Sequence, residues 1–338
     1  MSGGAVVCFG EMLIRLSPQG QELLLQSPAL KVIYGGAEAN VAVGLARLGH
    51  RTRMVSVVPE NDLGRAALAE LRRWGVDVSG VRFGPGRMGL YFMTPGAAFR
   101  SAEVLYDRAH SAFSRAGPEM FDWSRELDGA SWLHLSGITP ALGVAGAEAC
   151  FAAASAARAR GVKVSFDGNY RARLWAERPG EAPAILRRLL SLADLALVTE
   201  RDLALALERD FPGEDELMSR ADAAAAAFAE FPQLERLASL LRLRGPDGRQ
   251  ELSATMATRE RSIVAESVSL PAIVDRIGAG DAFAAGLLHG LLEETSEEAA
   301  LMLGLRCAAH KHGVAGDFSM ATPADLAAFD APWTDVRR

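Results

Sequence analysis

From residue 5 onward, short apolar runs of strand length alternate with longer stretches of helical spacing that stop at a glycine. This alternation is the strongest constraint on the fold. Residues 5–9 read as a first strand, and residues 37–48 place small and apolar side chains at helical spacing before Gly49, a usual helix C-cap. Residues 53–58 then read as a strand and 64–74 as a helix closed by Gly75. The pattern repeats with a strand at 130–136, an Ala-rich helix at 146–160 ending on Gly161, and a strand at 162–166. Further strands are expected at 195–198 and 240–243. A chain that alternates in this way builds a mainly parallel sheet with helices on both faces.

Two stretches break the rhythm. Residues 12–34 and 87–108 are strand-like, carry turn residues and lack helical spacing. Two β excursions from one α/β core suggest a small sheet covering one end of it; a pair of decorated edge hairpins is the plainer reading. The expected organisation is therefore a core of residues 1–11, 37–86 and 110–330, with a β lid from 12–36 and 87–109. Residues 208–231 are charged and Ala-rich, as in a helical surface insertion. The 338 residues, 49% apolar and 23% charged, suit an ordinary globular protein with a sizeable core. A formal charge of −6 argues against nucleic acid held on a general basic surface, but leaves room for a small anion held by a few local arginines. Three cysteines (Cys8, Cys150 and Cys307) without metal-like spacing fit a reducing, cytoplasmic setting. No basic region precedes the first strand, so a signal peptide is not expected, and no apolar run reaches the ~18 residues of a membrane span.

Four segments offer chemistry. In Asp275-Arg-Ile-Gly278-Ala279-Gly280-Asp281, the apolar residues that follow sit at helix spacing, so Asp281 falls in a first helical turn. Glycines and free amides at a helix start favour an anion there, and a carboxylate beside it could take a proton from an attacking hydroxyl. The same residues also make a plain turn and cap. Gly35-Gly36-Ala-Glu-Ala-Asn40 marks a second strand-to-helix junction, where Asn40 offers a donor and an acceptor to a sugar hydroxyl. Neither the G-x-G-x-x-G dinucleotide fingerprint nor a Walker phosphate loop is present. Asp167-Gly-Asn169-Tyr-Arg171 follows a strand, at the edge where open α/β sheets bind ligands; a solvated loop is the alternative. Tyr106 and Arg108 are two apart on an expected strand and share a face, with Tyr91 on a neighbouring strand; they can hold a carboxylate, and surface decoration is the plainer alternative. His310-Lys-His312 reads as surface, Arg72-Arg73 as a solvated helix face, and Arg242 with Arg244 as a small basic cluster.

In order and spacing these segments resemble the PfkB, or ribokinase-like, carbohydrate kinases over residues 5–330. The strings G-G-A-E-A-N-V-A, G-L-Y-F, V-L-Y-D-R-A-H-S-A, H-L-S-G-I-T-P-A-L, D-G-N-Y-R-A-R-L-W and G-A-G-D-A-F-A-A-G carry the likeness. Within that family they are most similar to 2-keto-3-deoxygluconate kinases. The resemblance implies transfer of the ATP γ-phosphate to the C6 hydroxyl of the keto-acid, with Mg²⁺ and room for a monovalent cation. It makes Asp281 the base and Gly278, Ala279 and Gly280 the anion hole. Gly35, Gly36, Asn40, Tyr91, Tyr106, Arg108, Arg171 and Asp317 become sugar-acid contacts. Asn169, Thr199, Arg244, Gly245 and Gly248 are assigned to the nucleotide, and Asp202 to the Mg²⁺–phosphate network. Thr199 and Asp202 replace the ribokinase-like Asn and Glu, and Leu243 stands where many relatives carry lysine. A homodimer through the lid is implied as well. A neutral-sugar kinase, a nucleoside kinase and a catalytically silent sugar-binding protein are the alternatives. Against the neutral-sugar kinase stands Arg108, whose buried charge would lack a partner beside a neutral sugar.

Overall fold

The computed structural model describes residues 3–97, 99–213, 216–245 and 249–329. Its strands are β1 (Ala5–Phe9), β2 (Leu13–Ser17), β3 (Lys31–Gly35), β4 (Thr52–Pro59), β5 (Asp77–Gly84), β6 (Gly89–Thr94) and β7 (Glu103–Asp107). They continue as β8 (Ala130–Ser136), β9 (Lys163–Asp167), β10 (Leu195–Leu197), β11 (Arg236–Arg244), β12 (Gln250–Ala257), β13 (Ser262–Val264) and β14 (Val268–Leu270). Ten of these form one sheet in the order β13-β12-β11-β10-β9-β8-β1-β4-β5, with β14 also on β12. From β11 to β5 every pairing is parallel; only the β12, β13 and β14 edge is antiparallel.

The β1 side chains show why the sheet is covered on both faces. Val6 and Cys8 enter one apolar cluster, with the helices Ala37–Arg47, Ala279–Leu292 and Glu297–His312. Val7 and Phe9 enter the other, with Val144–Ala159, Ala182–Leu190 and Glu216–Glu230. A strand buried on both faces cannot alternate apolar with polar, so it reads as a continuous apolar run. Because the central strands run parallel, their C-terminal ends deliver Glu11, Ser136, Asp167 and Thr199 to one edge.

At that edge lies the second sheet, of order β3-β2-β6-β7. Its register separates two faces. Arg15 pairs with Tyr91, and Tyr91 with Tyr106, on the side turned to the cleft. One residue along, Val32, Leu16, Phe92 and Leu105 pair in a row on the opposite side. Among the described residues, no helix is long and apolar enough to cross a membrane.

One surface expectation fails. Lys311 and His312 are buried, on the inner side of the helix Glu297–His312. Lys311 Nζ donates to the carbonyls of Val314 (2.8 Å) and Asp275 (3.4 Å), and the His312 ring meets Ala308 O at 2.7 Å. A lysine can be buried there because backbone carbonyls and the nearby Asp275, Asp317 and Asp281 replace its water.

Candidate active site

A cleft of roughly 680 Å³ runs between the lid and the parallel-strand edge. Asp281 stands in it on the first turn of the helix Ala279–Leu292. Asn40, in the first turn of the helix Ala37–Arg47, donates from Nδ2 to Asp281 Oδ2 at 2.6 Å. Burial, with Glu38 and Asp317 nearby, pushes the Asp281 carboxyl up to about 7; the Asn40 hydrogen bond and Arg171 oppose the rise. A carboxylate poised near neutrality suits a general base.

The backbone around Asp281 supplies the anion site. Gly278 adopts φ +82°, and a Cβ there would stand 1.9 Å from the carbonyl oxygen of Asp317. That turn presents the helix start to the cleft. Ala282 N is bonded to Gly278 O at 2.8 Å, whereas the amides of Gly280 and Asp281 find no backbone acceptor among the described residues. Above Gly280 there is open space for a ligand atom. Unbonded amides at the positive end of a helix dipole favour an anion. Gly36 serves the other helix start: its φ of +139° carries the chain past Glu11 O, which a Cβ would meet at 2.2 Å.

Acidic groups form the floor. Asp167, at the end of β9, is raised to about 8 by burial first and then by Asp281, Asp202 and Glu38; Arg171 alone opposes. Glu38 is buried and accepts from Ser136 Oγ at 2.6 Å, and burial raises its carboxyl also. The buried Oδ1 atoms of Asn40 and Asn169 have no hydrogen-bond partner among the described residues. The rim is cationic. Arg171, Arg242 and Arg276 line the cleft, and none of the three makes an ion pair among the described residues. Burial and the charges of Arg276 and Arg171 pull the Arg242 guanidinium below its ordinary value. Three guanidinium groups outside any ion pair, lining the same cleft as the open amides, suit a polyphosphate.

The lid provides the opposite wall through Tyr91, Tyr106 and Arg108. Arg108 is buried, but its charge does not lack a partner. Its Nε and Nη2 bond Glu11 Oε2 at 2.7 and 2.6 Å, leaving Nη1 as its uncommitted donor. Arg108 therefore does not stand against a neutral sugar, because Glu11 neutralises it whatever the ligand. Tyr91 turns its hydroxyl to Asp317 Oδ2. Asp317 is itself buried in the cleft wall behind Gly35, where a Cβ would come within 2.2 Å of its carboxylate.

The nucleotide assignments divide. Asn169, at φ +39°, and Thr199 line the cleft. Thr199 and Asp202 form a capping box on the helix Glu200–Leu207, in which Asp202 Oδ2 accepts from Thr199 N and Oγ1, each at 2.8 Å. That leaves Asp202 Oδ1 for any cation network. Arg244 and Gly245 lie beyond the cleft lining; Gly245 N donates to Arg249 O at 2.8 Å, and Arg242, two residues earlier on β11, is the arginine that reaches the cleft. Gly248 lies outside the described residues. Residue patterns alone assign no role to Glu11, Arg15, Glu38 or Arg276, although Glu38 lies within Gly35–Asn40 and Arg276 within Asp275–Asp281.

Residues 4–322 match the profile of the pfkB family carbohydrate kinases. The chain belongs to that family. It is therefore an ATP-dependent sugar kinase with a ribokinase-like fold. It is 33% identical over 321 residues to the 2-dehydro-3-deoxygalactonokinase of Haloferax volcanii, covering 95% of each chain. The crystal structure of 2-dehydro-3-deoxygluconokinase from Thermotoga maritima superposes with a TM-score of 0.90 at 35% identity, covering 96% of this chain and 99% of that one. A fructokinase of Klebsiella pneumoniae is also similar, 32% identical over 299 residues, 85% of this chain and 84% of its own.

Proposed function

We propose that this family member phosphorylates the C6 hydroxyl of a 2-keto-3-deoxy sugar acid. The observation that carries the chemistry is the Asn40–Asp281 pair beside the open amides of Gly280 and Asp281. In this reading the sugar hydroxyl lies between Asp281 and the terminal phosphorus of ATP. Asp281 takes the hydroxyl proton, the sugar oxygen forms the new P–O bond, and the bond to the ADP oxygen breaks. The amides of Gly280 and Asp281 hold the transferring phosphoryl oxygens, Arg242 and Arg276 hold the rest of the polyphosphate, and Arg171, coupled to Asp281, faces the sugar acid.

A hard divalent cation fits the floor. Asp167 is crowded by like charges, and the Asn169 Oδ1 is an orphaned buried acceptor, so an oxygen-ligated ion such as Mg²⁺ would relieve both. Asp167, and Asp202 through its free oxygen, would hold it with the phosphates. Its contribution would be to neutralise charge on the β- and γ-phosphates.

For the sugar, Arg108 Nη1 and the Tyr106 hydroxyl on the lid are free to take a carboxylate, and two relatives named for keto-deoxy acids support an acidic substrate. A neutral ketose remains the second reading, because Glu11 already balances Arg108 and a fructokinase is similar to the chain. An ATP-coupled screen of gluconate, fructose, ribose, 2-keto-3-deoxygluconate and its C4 epimer tests the choice. The expected result is the highest kcat/KM on a keto-deoxy acid; a tenfold preference for fructose would overturn it.

The lid also favours a homodimer. The outward row from Val32 to Leu105 leaves Val32 at 58% and Leu105 at 60% exposed, an apolar stripe that a second lid would cover. Light scattering should give twice the chain mass, and half that mass for Leu105→Lys. A wild-type monomer would overturn it.

A further inference from the structure

Arg15 lies on lid strand β2, yet its side chain is one of the most buried charges in the protein. It donates from Nη1 to Asp317 Oδ1 at 2.9 Å, from Nη2 to Asp275 Oδ2 at 2.7 Å and from Nε to Ser17 Oγ at 2.8 Å. The side chains are 6%, 2% and 5% exposed for Arg15, Asp317 and Asp275. With Lys311 close by, two cations meet two carboxylates away from bulk solvent.

Both aspartates belong to the frame of the anion site. Asp275 Oδ1 accepts from Ile277 N at 3.0 Å, and Oδ2 accepts from Gly316 N at 3.1 Å. It thus fixes the turn immediately ahead of Gly278 and ties it to the 316–317 loop. Asp317 contributes the carbonyl against which Gly278 rests, so close that only hydrogen fits between them. Its carboxylate meanwhile accepts from Tyr91 of the lid and lines the cleft. One guanidinium therefore holds both supports of the phosphate site from the sheet that walls the sugar site.

We propose that Arg15 is the positioning residue through which sugar occupancy and phosphate binding are coupled. A sugar that settles the lid against the cleft seats the Arg15 fork on Asp275 and Asp317. The fork then fixes the turn that aims the Gly280 and Asp281 amides. A planar guanidinium can bridge two carboxylates that a point-like ammonium can hold only one at a time. Displacement of the lid strand by an ångström or so would break both contacts together. The inference rests on the kinase reading of the cleft, but not on which sugar is used.

Binding linkage provides the test. The affinity of a non-hydrolysable ATP analogue with Mg²⁺ is measured by calorimetry with and without the sugar that the wild type phosphorylates best. The wild type should bind the analogue at least about fivefold tighter with sugar present, within the usual range of coupling between sites. In Arg15→Met the ratio should fall towards one. Arg15→Lys, which keeps the buried charge, should fold if the Met variant does not, and should lose most of the ratio while each separate affinity moves less than about threefold. A purely structural role would lower the melting temperature and leave the ratio intact. The proposal fails if Arg15→Lys keeps the wild-type ratio, or if the wild type shows none. Wild-type protein that phosphorylates no sugar in the screen would instead count against the kinase reading itself.

Discussion

Asn40→Ala deletes one hydrogen bond, and the structure says where the loss should appear. Nδ2 of Asn40 meets Asp281 Oδ2 at 2.6 Å, and that bond holds the carboxyl down against burial and neighbouring negative charge. A hydrogen bond to a charged group is worth about 1.5–3 kcal/mol. Expressed as proton affinity at ~1.36 kcal/mol per unit, its removal raises Asp281 by about one to two units. The sign follows from the role. A base must be ionised, and with Asp281 at about 7 roughly half is ionised at pH 7 in the wild type. After the substitution that fraction falls to about 1–10%, so kcat/KM at pH 7 drops roughly 5- to 50-fold. At pH 9 most of the loss should be recovered. The assay is the pH profile of kcat/KM for the sugar at saturating ATP, which reports the groups of the ATP-bound enzyme before sugar binds. A lost sugar contact at Asn40 would lower the whole profile equally, whereas a shifted base moves its acid limb to higher pH. An unmoved acid limb would refute the reasoning.

Two glycines should behave differently although they are two residues apart. Gly278→Ala forces a Cβ to 1.9 Å from Asp317 O in a left-handed conformation, so the variant should lose at least about 2 kcal/mol of stability in chemical denaturation. Gly280→Ala meets open space, so its stability should stay near wild type while kcat falls as the methyl group crowds the phosphoryl site. Equal melting temperatures for the pair would contradict the packing at Gly278. Arg108→Ala should raise the KM for a sugar acid and also destabilise by about 3–5 kcal/mol, because it leaves Glu11 buried and unpaired. The double variant with Glu11→Gln should regain stability without regaining KM; recovery of both would make the arginine purely structural.

Much of the fold was legible because the central strands are bounded by glycine and by helices of clear spacing. The strand Ala130–Ser136 falls where its apolar run is, and the helix Ala37–Arg47 stops one residue before the expected end. The antiparallel edge was not legible beyond β11. β13 and β14 are three residues each, too short to show a period, and β12 is recognised by its pairing with β11 rather than by composition. The site divides in the same way. Asp281, Gly278, Gly36 and Asn40 announce themselves at helix starts. Arg15 does not, since one arginine in Leu-Ile-Arg-Leu-Ser looks like the solvent side of an amphipathic strand, and its partners lie 260 and 302 residues away. Arg108 stands out in its strand pattern, but its counter-ion Glu11 does not, because nothing local links residues 97 apart.

Turnover by Asp281→Asn tests the central claim most directly. With the sugar acid and Mg²⁺-ATP at saturation, kcat should fall by about 10²-fold or more, as for a lost general base, while both KM values stay within a few-fold. Turnover within a few-fold of wild type would remove Asp281 from the proton transfer and with it the mechanism built on this cleft.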